Sequence, residues 1–354
     1  MQSLPFSIID PHIHQWDPYT TPHAAAFAVK LFGKHPRLLD KMVRLLKPKD
    51  VIETIGLTEH LTAPYLPGNY KKDAGHYKVE QIVHVEASWH QQKGTGVVNE
   101  TRFIAALPFD QYNIQLGGIV ATADPRQKNF KQLLQLHREA SPKFRGIRKM
   151  AAVHADKAIH AWADEPHLYR NKKFLKGFEE LAKQDLSFDA WVYSTQLADV
   201  TALAKAFPDT PIVLDHLGTP AGLFGKVGKS TGKTAQQREY IFQAWIEDLA
   251  ELAQCTNVST KMSGLFMPVL GHDFHTQKRL ATKQELVERA APLIQHALNC
   301  FGAKRVMFAS NFPMDRVSSS LTNIIDAFSD IVQAYDENAL KPIFYENAKA
   351  FYKL

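Results

Sequence analysis

The stretch that decides the fold is Phe6-Ser7-Ile8-Ile9-Asp10-Pro11-His12-Ile13-His14. Apolar residues lead into two histidines spaced i, i+2, and on a strand that spacing places both imidazoles on one face. Pro11 has no N–H for a sheet ladder, so we expect the strand to end where the histidines appear. His12 and His14 then lie at the carboxyl mouth of a strand, close enough to hold one metal ion or one polarised oxygen. Two ordinary hydrogen-bonded histidines are the alternative interpretation.

Seven further apolar runs follow, and amphipathic stretches separate them. The candidate strands are 8–14, 81–87, 116–122, 144–150, 186–192, 211–217, 258–264 and 305–311. The amphipathic stretches include 130–139, 173–183, 197–207, 240–254, 285–301 and 339–352. This alternation predicts an α/β chain whose eight parallel strands close into a single (β/α)8 TIM barrel, with the active site at their carboxyl ends. A doubly wound open sheet would give a similar string, but no Gly-x-Gly-x-x-Gly follows the first strand.

Two segments interrupt the regular rhythm of one domain spanning residues 1–354. Residues 18–78 separate the first two strands by more than one helix needs and contain six prolines. We interpret them as a helical insertion over the barrel mouth. Residues 218–237 follow the sixth strand, are rich in Gly, Lys, Ser and Thr, and predict a flexible loop beside the active site.

The composition, 45% hydrophobic and 22% charged residues, is typical of a soluble globular enzyme. No apolar run approaches the ~18 residues that suggest a membrane span. The first residues lack the features of a secretory signal, so we expect a cytoplasmic protein without a membrane partner. Cys255 and Cys300 lack zinc or redox spacing and are interpreted as reduced packing residues.

The net charge of +6 raises the question of nucleic acid. The lysines are scattered, with acidic residues between most clusters and no aromatic stacking motif among them, which favours an ordinary solvated surface. We therefore expect a small-molecule substrate and no nucleic-acid partner, and an oligomer is compatible with the sequence.

Polar residues follow several of the predicted strands. Period-2 alternation predicts that His84 and Glu86 face the barrel interior. The fourth strand contains Arg145 and Arg148, and a guanidinium at a strand end could bind a substrate carboxylate or oxygen. We expect one of these arginines to bind substrate and the other to be structural.

The sixth and seventh strands add a third histidine and a lysine. Four apolar residues precede Asp215 and His216, and a histidine at another strand end favours a shared site. Lys261 is expected to face inward, either as an ion-pair partner or as a substrate ligand. The eighth strand ends in a polar cluster that contains Asn311 and Asp315.

With these residues assembled, the chain resembles the amidohydrolase superfamily, in the branch that includes sugar-acid lactonases and the pyrone-dicarboxylate lactonase. The resemblance implies a (β/α)8 barrel that hydrolyses a cyclic ester, with His12, His14 and His216 polarising the substrate carbonyl directly or through a divalent metal. Four motifs in the same order carry it: Asp10-Pro11-His12-Ile13-His14, Phe144-Arg145-Gly146-Ile147-Arg148, Leu214-Asp215-His216-Leu217-Gly218 and Phe308-Ala309-Ser310-Asn311-Phe312-Pro313.

The chain departs from that branch at two strands. Many relatives carry Asp in a Ser-Asp-Trp-Pro motif on the eighth strand, where it takes the proton of the attacking water; here the residue is Asn311, and an amide cannot be a general base. The fifth strand offers Asp189 where metal-dependent branches use a histidine. A two-metal site is therefore not expected. The resemblance implies one divalent ion on His12, His14 and His216, with zinc the expected metal, weakly bound or dispensable.

Together with these residues, the resemblance implies a hydrolase that opens a small lactone, a sugar-acid or related carboxylate-bearing cyclic ester, by water attack at the carbonyl. His12, His14 and His216 stabilise the oxyanion, and Arg145 or Arg148, with Glu86, contacts the substrate. Asp315, ahead of Glu86 or Asp189, activates the water, unless Asn311 alone orients it. The alternatives are a metal-dependent decarboxylase of an aromatic or unsaturated acid and a non-catalytic sugar-acid binding barrel.

Overall fold

A computed structural model describes residues 4–23, 26–91 and 94–354. Eight parallel strands form one sheet in sequence order, each paired with the next along the chain. The predicted TIM barrel is thereby confirmed. The strands are β1 (Ile8–Ile13), β2 (Val79–Val85), β3 (Gln115–Thr122), β4 (Phe144–Met150), β5 (Ser187–Trp191), β6 (Ile212–Leu214), β7 (Val258–Met262) and β8 (Val306–Phe308).

The sheet closes where the chain beyond β8 meets β1. Ile13 and Phe312 form a parallel bridge, and the Asn311 N–H donates to the His12 carbonyl over 2.9 Å. Pro11 lies within β1, because a register shift between Asp10 and Ile13 accommodates its missing N–H. The strand therefore continues to Ile13, two residues past the proline, and His14 follows its end.

The described helices surround the barrel and also cover its carboxyl end. Within the described ranges, none combines the length and apolarity of a membrane span. The helices are α1 (Ala26–Phe32), α2 (Pro36–Leu46), α3 (Lys49–Ile55), α4 (Thr58–Thr62), α5 (Pro67–Ala74), α6 (Val98–Ala105), α7 (Phe130–Ala140), α8 (Lys172–Ala182), α9 (Leu197–Ala206), α10 (Ala235–Ala253), α11 (Lys283–Phe301), α12 (Leu321–Tyr335) and α13 (Asn347–Tyr352).

Both predicted interruptions have a structural counterpart. Helices α1 to α5 lie between β1 and β2, within the segment interpreted as an insertion. The segment after β6 runs to α10, and the Asp156 carboxylate accepts the backbone N–H groups of Lys229 and Ser230, both over 2.9 Å. These contacts restrain a segment whose flexibility remains a prediction.

Apolar side chains fill the amino end of the barrel. Tyr352 of α13 packs into this cluster and closes it from below, and its hydroxyl donates to Asp189 Oδ2 over 2.8 Å. His84 takes the opposite direction: its Nε2 lies 3.6 Å from Glu100 Oε1 on α6, outside the sheet. The prediction that His84 faces inward is therefore wrong, and a register shift at Ile82–Val83 accompanies the difference. The cluster consists of Ile9, Val83, Val85, Val120, Val213, Met307, Ala348 and Tyr352.

Gly146 allows β4 and β5 to approach closely, which predicts a stability effect. A Cβ added at Gly146 would lie 2.2 Å from the backbone oxygen of Ser187, its partner across the ladder. Gly146→Ala should lower the free energy of unfolding by about 1–3 kcal/mol or more, because the backbone of β5 would have to shift. Urea denaturation measures it.

Gly117→Ala on β3 is the matched control. Its added Cβ would meet the amide end of the Gln81 side chain at 2.6 Å, and a flexible side chain can move away. We expect a smaller loss than for Gly146→Ala. Equal losses would contradict the assignment of the close approach to Gly146.

Candidate active site

Three imidazoles predicted from separate motifs meet at the carboxyl end of the barrel. The ring centroids of His12 and His14 lie 4.9 Å apart, and those of His12 and His216 lie 4.6 Å apart. All three side chains are buried. They come from β1, from the residue after β1, and from the turn after β6, so the strand ends alone bring them together.

The hydrogen bonds of His14 fix its tautomer. Its Nδ1 lies 2.9 Å from the Val85 carbonyl oxygen and 3.1 Å from that of Glu86, and carbonyls only accept, so Nδ1 carries the proton. Burial, with the nearby charge of Arg148, lowers the pKa of His14 to about 3, so the ring is neutral at neutral pH. Its Nε2 therefore presents a lone pair to the site.

His216 has a strained backbone and a close glycine neighbour. Its φ is +57°, in the left-handed region that costs a residue with a side chain of the order of 1–3 kcal/mol. A Cβ on Gly264, at the end of β7, would lie 2.5 Å from the His216 ring, so only glycine leaves room for this imidazole. The hydroxyl of Ser263 lies 2.8 Å from Nδ1 and orients the ring.

A buried ammonium group links four elements beneath the imidazoles. Lys261 Nζ lies 2.6 Å from Asp189 Oδ2, 3.1 Å from Asp215 Oδ1 and 3.1 Å from His12 Nδ1. The Lys261, Asp189, Asp215 and His12 side chains have no exposed surface. Burial and the positive charge of Lys261 hold the pKa of His12 well below its usual value, so His12 is neutral.

Arg148 and Glu86 form a second buried ion pair beside the histidines. Arg148 Nε donates to Glu86 Oε1 over 2.9 Å, and its NH1 lies 3.4 Å from His12 Nε2. Burial alone would raise the pKa of Glu86, but the Arg148 charge and the Ser88 N–H outweigh it and hold the pKa below its ordinary value. Glu86 is therefore ionised at neutral pH.

Asn311 separates Asp315 from the histidines. Asn311 Nδ2 donates to Asp315 Oδ1 over 3.2 Å, and Asn311 Oδ1 lies 3.3 Å from His14 Nε2. Burial raises the pKa of Asp315 to about 8, so this carboxyl is protonated at neutral pH. The geometry therefore disfavours our expectation that Asp315 activates water, because it lies behind Asn311 and already holds a proton.

Arg145 lies far from this group. It is the second residue of β4, at the amino end of the barrel, and its NH1 donates to the carbonyl oxygens of Pro142 and Phe144. This position contradicts our expectation that Arg145 contacts the substrate. Alternation along β4 explains the difference, because residues three apart on a strand point to opposite faces.

Five predicted residues line one cavity of about 310 Å³. We call them the floor: His14, Glu86, Arg148, His216 and Asn311. The cavity extends outward between α3, α4 and the loops after the strands. A volume of this size is typical of a small-molecule site.

The donor set could hold one metal ion. Ligand atoms of His12, Asp215 and His216 all lie within 4.8 Å of one another, and two imidazoles with a carboxylate suit a divalent cation. Among the described residues, both Asp215 oxygens are buried without an aligned hydrogen bond. The nearby Lys261 ammonium and Arg148 guanidinium already supply positive charge. The ligand types therefore suit a divalent cation, but these two charges oppose its binding.

One functional group, Asp215, was missing from the expected ligand and catalytic set, and Asp189 and Lys261 were expected there only as alternatives. Asp215 belongs to the candidate metal group, and Lys261 with Asp189 forms the ion network below it. Period-2 alternation on β7 and the acid beside His216 were the available signals. Trp16 and Trp162, which also line the cavity, gave no periodic signal, whereas Trp191 lies two residues after Asp189 on β5.

Comparison with known proteins identifies the family of this chain. A sequence profile of the family described as "Amidohydrolase" matches residues 9–354. An uncharacterized protein of Sinorhizobium fredii, y4mH, is 30% identical over 348 residues, covering 98% of this chain and 99% of that protein. An L-fucono-1,5-lactonase of Burkholderia ambifaria is 28% identical over 217 residues, covering 60% of this chain and 62% of that protein.

A solved structure shares the fold. The crystal structure of an amidohydrolase from Burkholderia multivorans, with bound zinc, superimposes with a TM-score of 0.70 at 21% identity. The match covers 99% of this chain and all of that chain. At this identity the likeness concerns the barrel architecture.

The buried ammonium of Lys261 predicts a large stability effect. Lys261→Met should lower the free energy of unfolding by about 3–5 kcal/mol, because Asp189 and Asp215 would be left as buried carboxylates without their cation. The double variant Lys261→Met/Asp189→Asn should recover part of the loss, since one carboxylate becomes neutral. Urea denaturation measures both.

Lys205→Met is the surface control. Lys205 Nζ also lies 3.1 Å from a carboxylate oxygen, on Glu251, but both side chains are about 60% exposed. We expect a change of about 1 kcal/mol or less. A loss no larger for Lys261→Met than for Lys205→Met would refute the structural importance of the buried network.

Proposed function

Because this chain belongs to the amidohydrolase family, we propose that it is a lactone hydrolase that opens a small cyclic ester by water attack at the carbonyl. The observation that carries the proposal is the floor of the cavity. An ionised carboxylate, Glu86, lies there beside two neutral imidazoles, His14 and His216, at the carboxyl ends of the strands. The activity named for the Burkholderia ambifaria relative is of the same class.

Glu86 accepts the proton of the attacking water in this proposal. It is the carboxylate of the floor that is ionised at neutral pH, and each carboxylate oxygen has lone pairs beyond those used by Arg148 and the Ser88 N–H. The water oxygen forms a bond to the carbonyl carbon while the carbonyl π electrons move to oxygen. Collapse of this oxyanion breaks the ring C–O bond, and Glu86 returns its proton to the departing ring oxygen.

Neighbouring donors stabilise the oxyanion. Arg148, the His216 ring and the Asn311 amide line the same floor and can present N–H groups to a carbonyl oxygen. His14, with its lone pair on Nε2, orients the water together with Asn311. A well-placed donor of this kind contributes about 2.7–4 kcal/mol in comparable sites.

A divalent ion would be held by His12, Asp215 and His216. When bound, it would polarise the substrate carbonyl and make a bound water more acidic. The residues described above supply proton acceptance and oxyanion donors on their own. We therefore propose a weakly held or dispensable ion.

Two other functions give distinct outcomes in the same assays. A decarboxylase would release carbon dioxide from an aromatic acid such as 2,6-dihydroxybenzoate and would need its metal. A non-catalytic sugar-acid binding barrel would bind a sugar lactone without turnover. A pH-indicator assay at neutral pH detects the acid that lactone opening releases. This assay separates lactone hydrolysis from both other functions.

Glu86→Gln should lower the turnover of lactones by about 10²–10⁴-fold, the range expected for a lost general base. In the parent protein, turnover should fall as the pH drops through the Glu86 pKa, which lies below its ordinary value, because the protonated acid cannot accept a proton. The residual activity of Glu86→Gln should lack this acid limb. Initial rates between pH 2.5 and 8 measure both effects.

Two variants control this test. Glu80→Gln changes a glutamate of the same strand whose Oε1 accepts from Tyr345 over 3.0 Å, away from the cavity, and should leave turnover unchanged. Asp315→Asn keeps the protonated group's size and neutral charge and should cost less than Glu86→Gln. A larger loss in Asp315→Asn would assign the base to Asp315 and overturn the role of Glu86.

Metal content gives an independent prediction. Protein purified without chelator should hold at most one divalent ion per chain by elemental analysis, and treatment with EDTA should change lactone turnover less than about tenfold. The reason is the charge of Lys261 and Arg148 beside the ligands. Asn311→Asp should raise occupancy, since it adds a carboxylate 3.3 Å from His14 Nε2. Two tightly held ions, or complete loss of turnover restored by zinc, would contradict it.

A further inference from the structure

Above the floor, the cavity of the proposed lactone hydrolase has mostly apolar sides. Most of the polar groups beyond the floor come from the insertion and from the loop after β2. We call the principal apolar side chains the walls: Trp16, Trp162, Trp191, Met150, Met267 and Met314.

Two of the three indoles of the walls offer faces rather than hydrogen-bond donors. The Trp191 N–H donates to Thr219 Oγ1 over 2.9 Å, and the Trp16 N–H donates to the Ala63 carbonyl over 3.0 Å. Both donors are therefore already used within the protein. A ligand that contacts these two residues meets only aromatic carbon.

Trp191 connects the walls to the floor. Its ring centroid lies 5.1 Å from that of Trp162, with 52° between the planes, and 5.8 Å from that of His216. The Arg148 guanidinium carbon lies 5.9 Å from the same ring. A planar group that packs against Trp191 and Trp162 would thus lie next to the floor. The same ligand could then place its carbonyl at the floor.

The three methionines favour an apolar ligand of variable shape. Methionine is flexible and polarizable, and its sulfur makes favourable contacts with aromatic rings. The cavity volume of about 310 Å³ is roughly twice that of the ~150 Å³ apolar cavity known to bind benzene. A bicyclic ligand that carries both an aromatic ring and an ester ring is therefore of suitable size.

Hydroxyl groups would be disfavoured at the walls. A hydroxyl that leaves water without gaining a hydrogen bond costs free energy, whereas an aromatic ring gains from leaving water. We infer that the substrate is an aryl- or alkyl-substituted cyclic ester rather than a polyhydroxylated sugar lactone. The ester hydrolysis in this inference rests on the proposed function. The apolar substituent of the substrate rests on the walls.

Three six-membered lactones test the inference. Dihydrocoumarin carries a fused aryl ring, D-glucono-1,5-lactone carries hydroxyls, and δ-valerolactone carries neither. After division by each rate constant for hydroxide hydrolysis, kcat/KM for dihydrocoumarin should exceed that for gluconolactone by about 10²-fold, the scale of burying one aromatic ring. Preference for gluconolactone would overturn the inference and leave the lactonase proposal standing.

Substitutions in the walls test which residues recognise the aryl ring of dihydrocoumarin. Trp162→Ala should lower kcat/KM for dihydrocoumarin about tenfold or more and change that for δ-valerolactone less than about threefold, because only the aryl ring loses a contact. Trp162→Phe should restore most of the loss. Tyr240→Ala removes an aromatic residue that is 76% exposed on α10 and should change neither substrate. Equal loss for both lactones in Trp162→Ala would contradict the role of the walls.

A binding measurement separates the inference from the proposed reaction. The lactam 3,4-dihydro-2(1H)-quinolinone resembles dihydrocoumarin but resists hydrolysis, and calorimetry reports its affinity. If no lactone is hydrolysed, yet this lactam binds tighter than 2-piperidone and binds more weakly to Trp162→Ala, the proposed reaction fails while the ligand chemistry holds. If the two lactams bind alike, the inference fails, whatever the outcome of the hydrolysis assays.

Discussion

The ammonium group of Lys261 constrains the whole carboxyl end of the barrel. Its contacts with Asp189, Asp215 and His12 join β5, the end of β6, β7 and β1 through one positive charge. Buried carboxylates are costly without a cation or hydrogen bonds, and this lysine lies between the two aspartates that the barrel holds beneath its histidines. Burial, together with the same charge, lowers the pKa of His12 and keeps it neutral. The protonation of His12 therefore depends in part on a residue that need not touch a substrate.

Strands and loops contribute different chemistry to the cavity. The charged and imidazole groups of the floor lie on strand ends or within a few residues of them, where the sheet holds them rigidly. His216 and Asn311 both have positive φ, and such strain persists where the surrounding structure fixes the backbone. The apolar walls come largely from connecting segments, including Trp16 after β1 and Trp162 after β4. The groups proposed to act on the substrate thus lie at the floor of the cavity, and the groups proposed to select it lie above them.

Much of this arrangement could be predicted from the sequence, for a physical reason. Apolar runs identify strands because both faces of a barrel strand are buried, and polar residues after each run identify the carboxyl ends. The side on which a residue points was less predictable: the register shift in β2 coincides with Val83 facing inward and His84 facing α6. The charge state of Asp315 depends on burial by segments distant in sequence. The direction of Trp162 depends on a loop without periodicity.

The closure of the barrel through Ile13 and Phe312 has a consequence for how the site comes into being. His14 and Asn311 are 297 residues apart, and Asn311 also donates its backbone N–H to His12. During synthesis the first strand leaves the ribosome with its histidines long before their partners exist. The floor is completed only when the final strand docks against the first, and α13 seals the opposite end with Tyr352. Such long-range pairing is slow to form. The complete site therefore forms late in folding, after the whole chain has been synthesised.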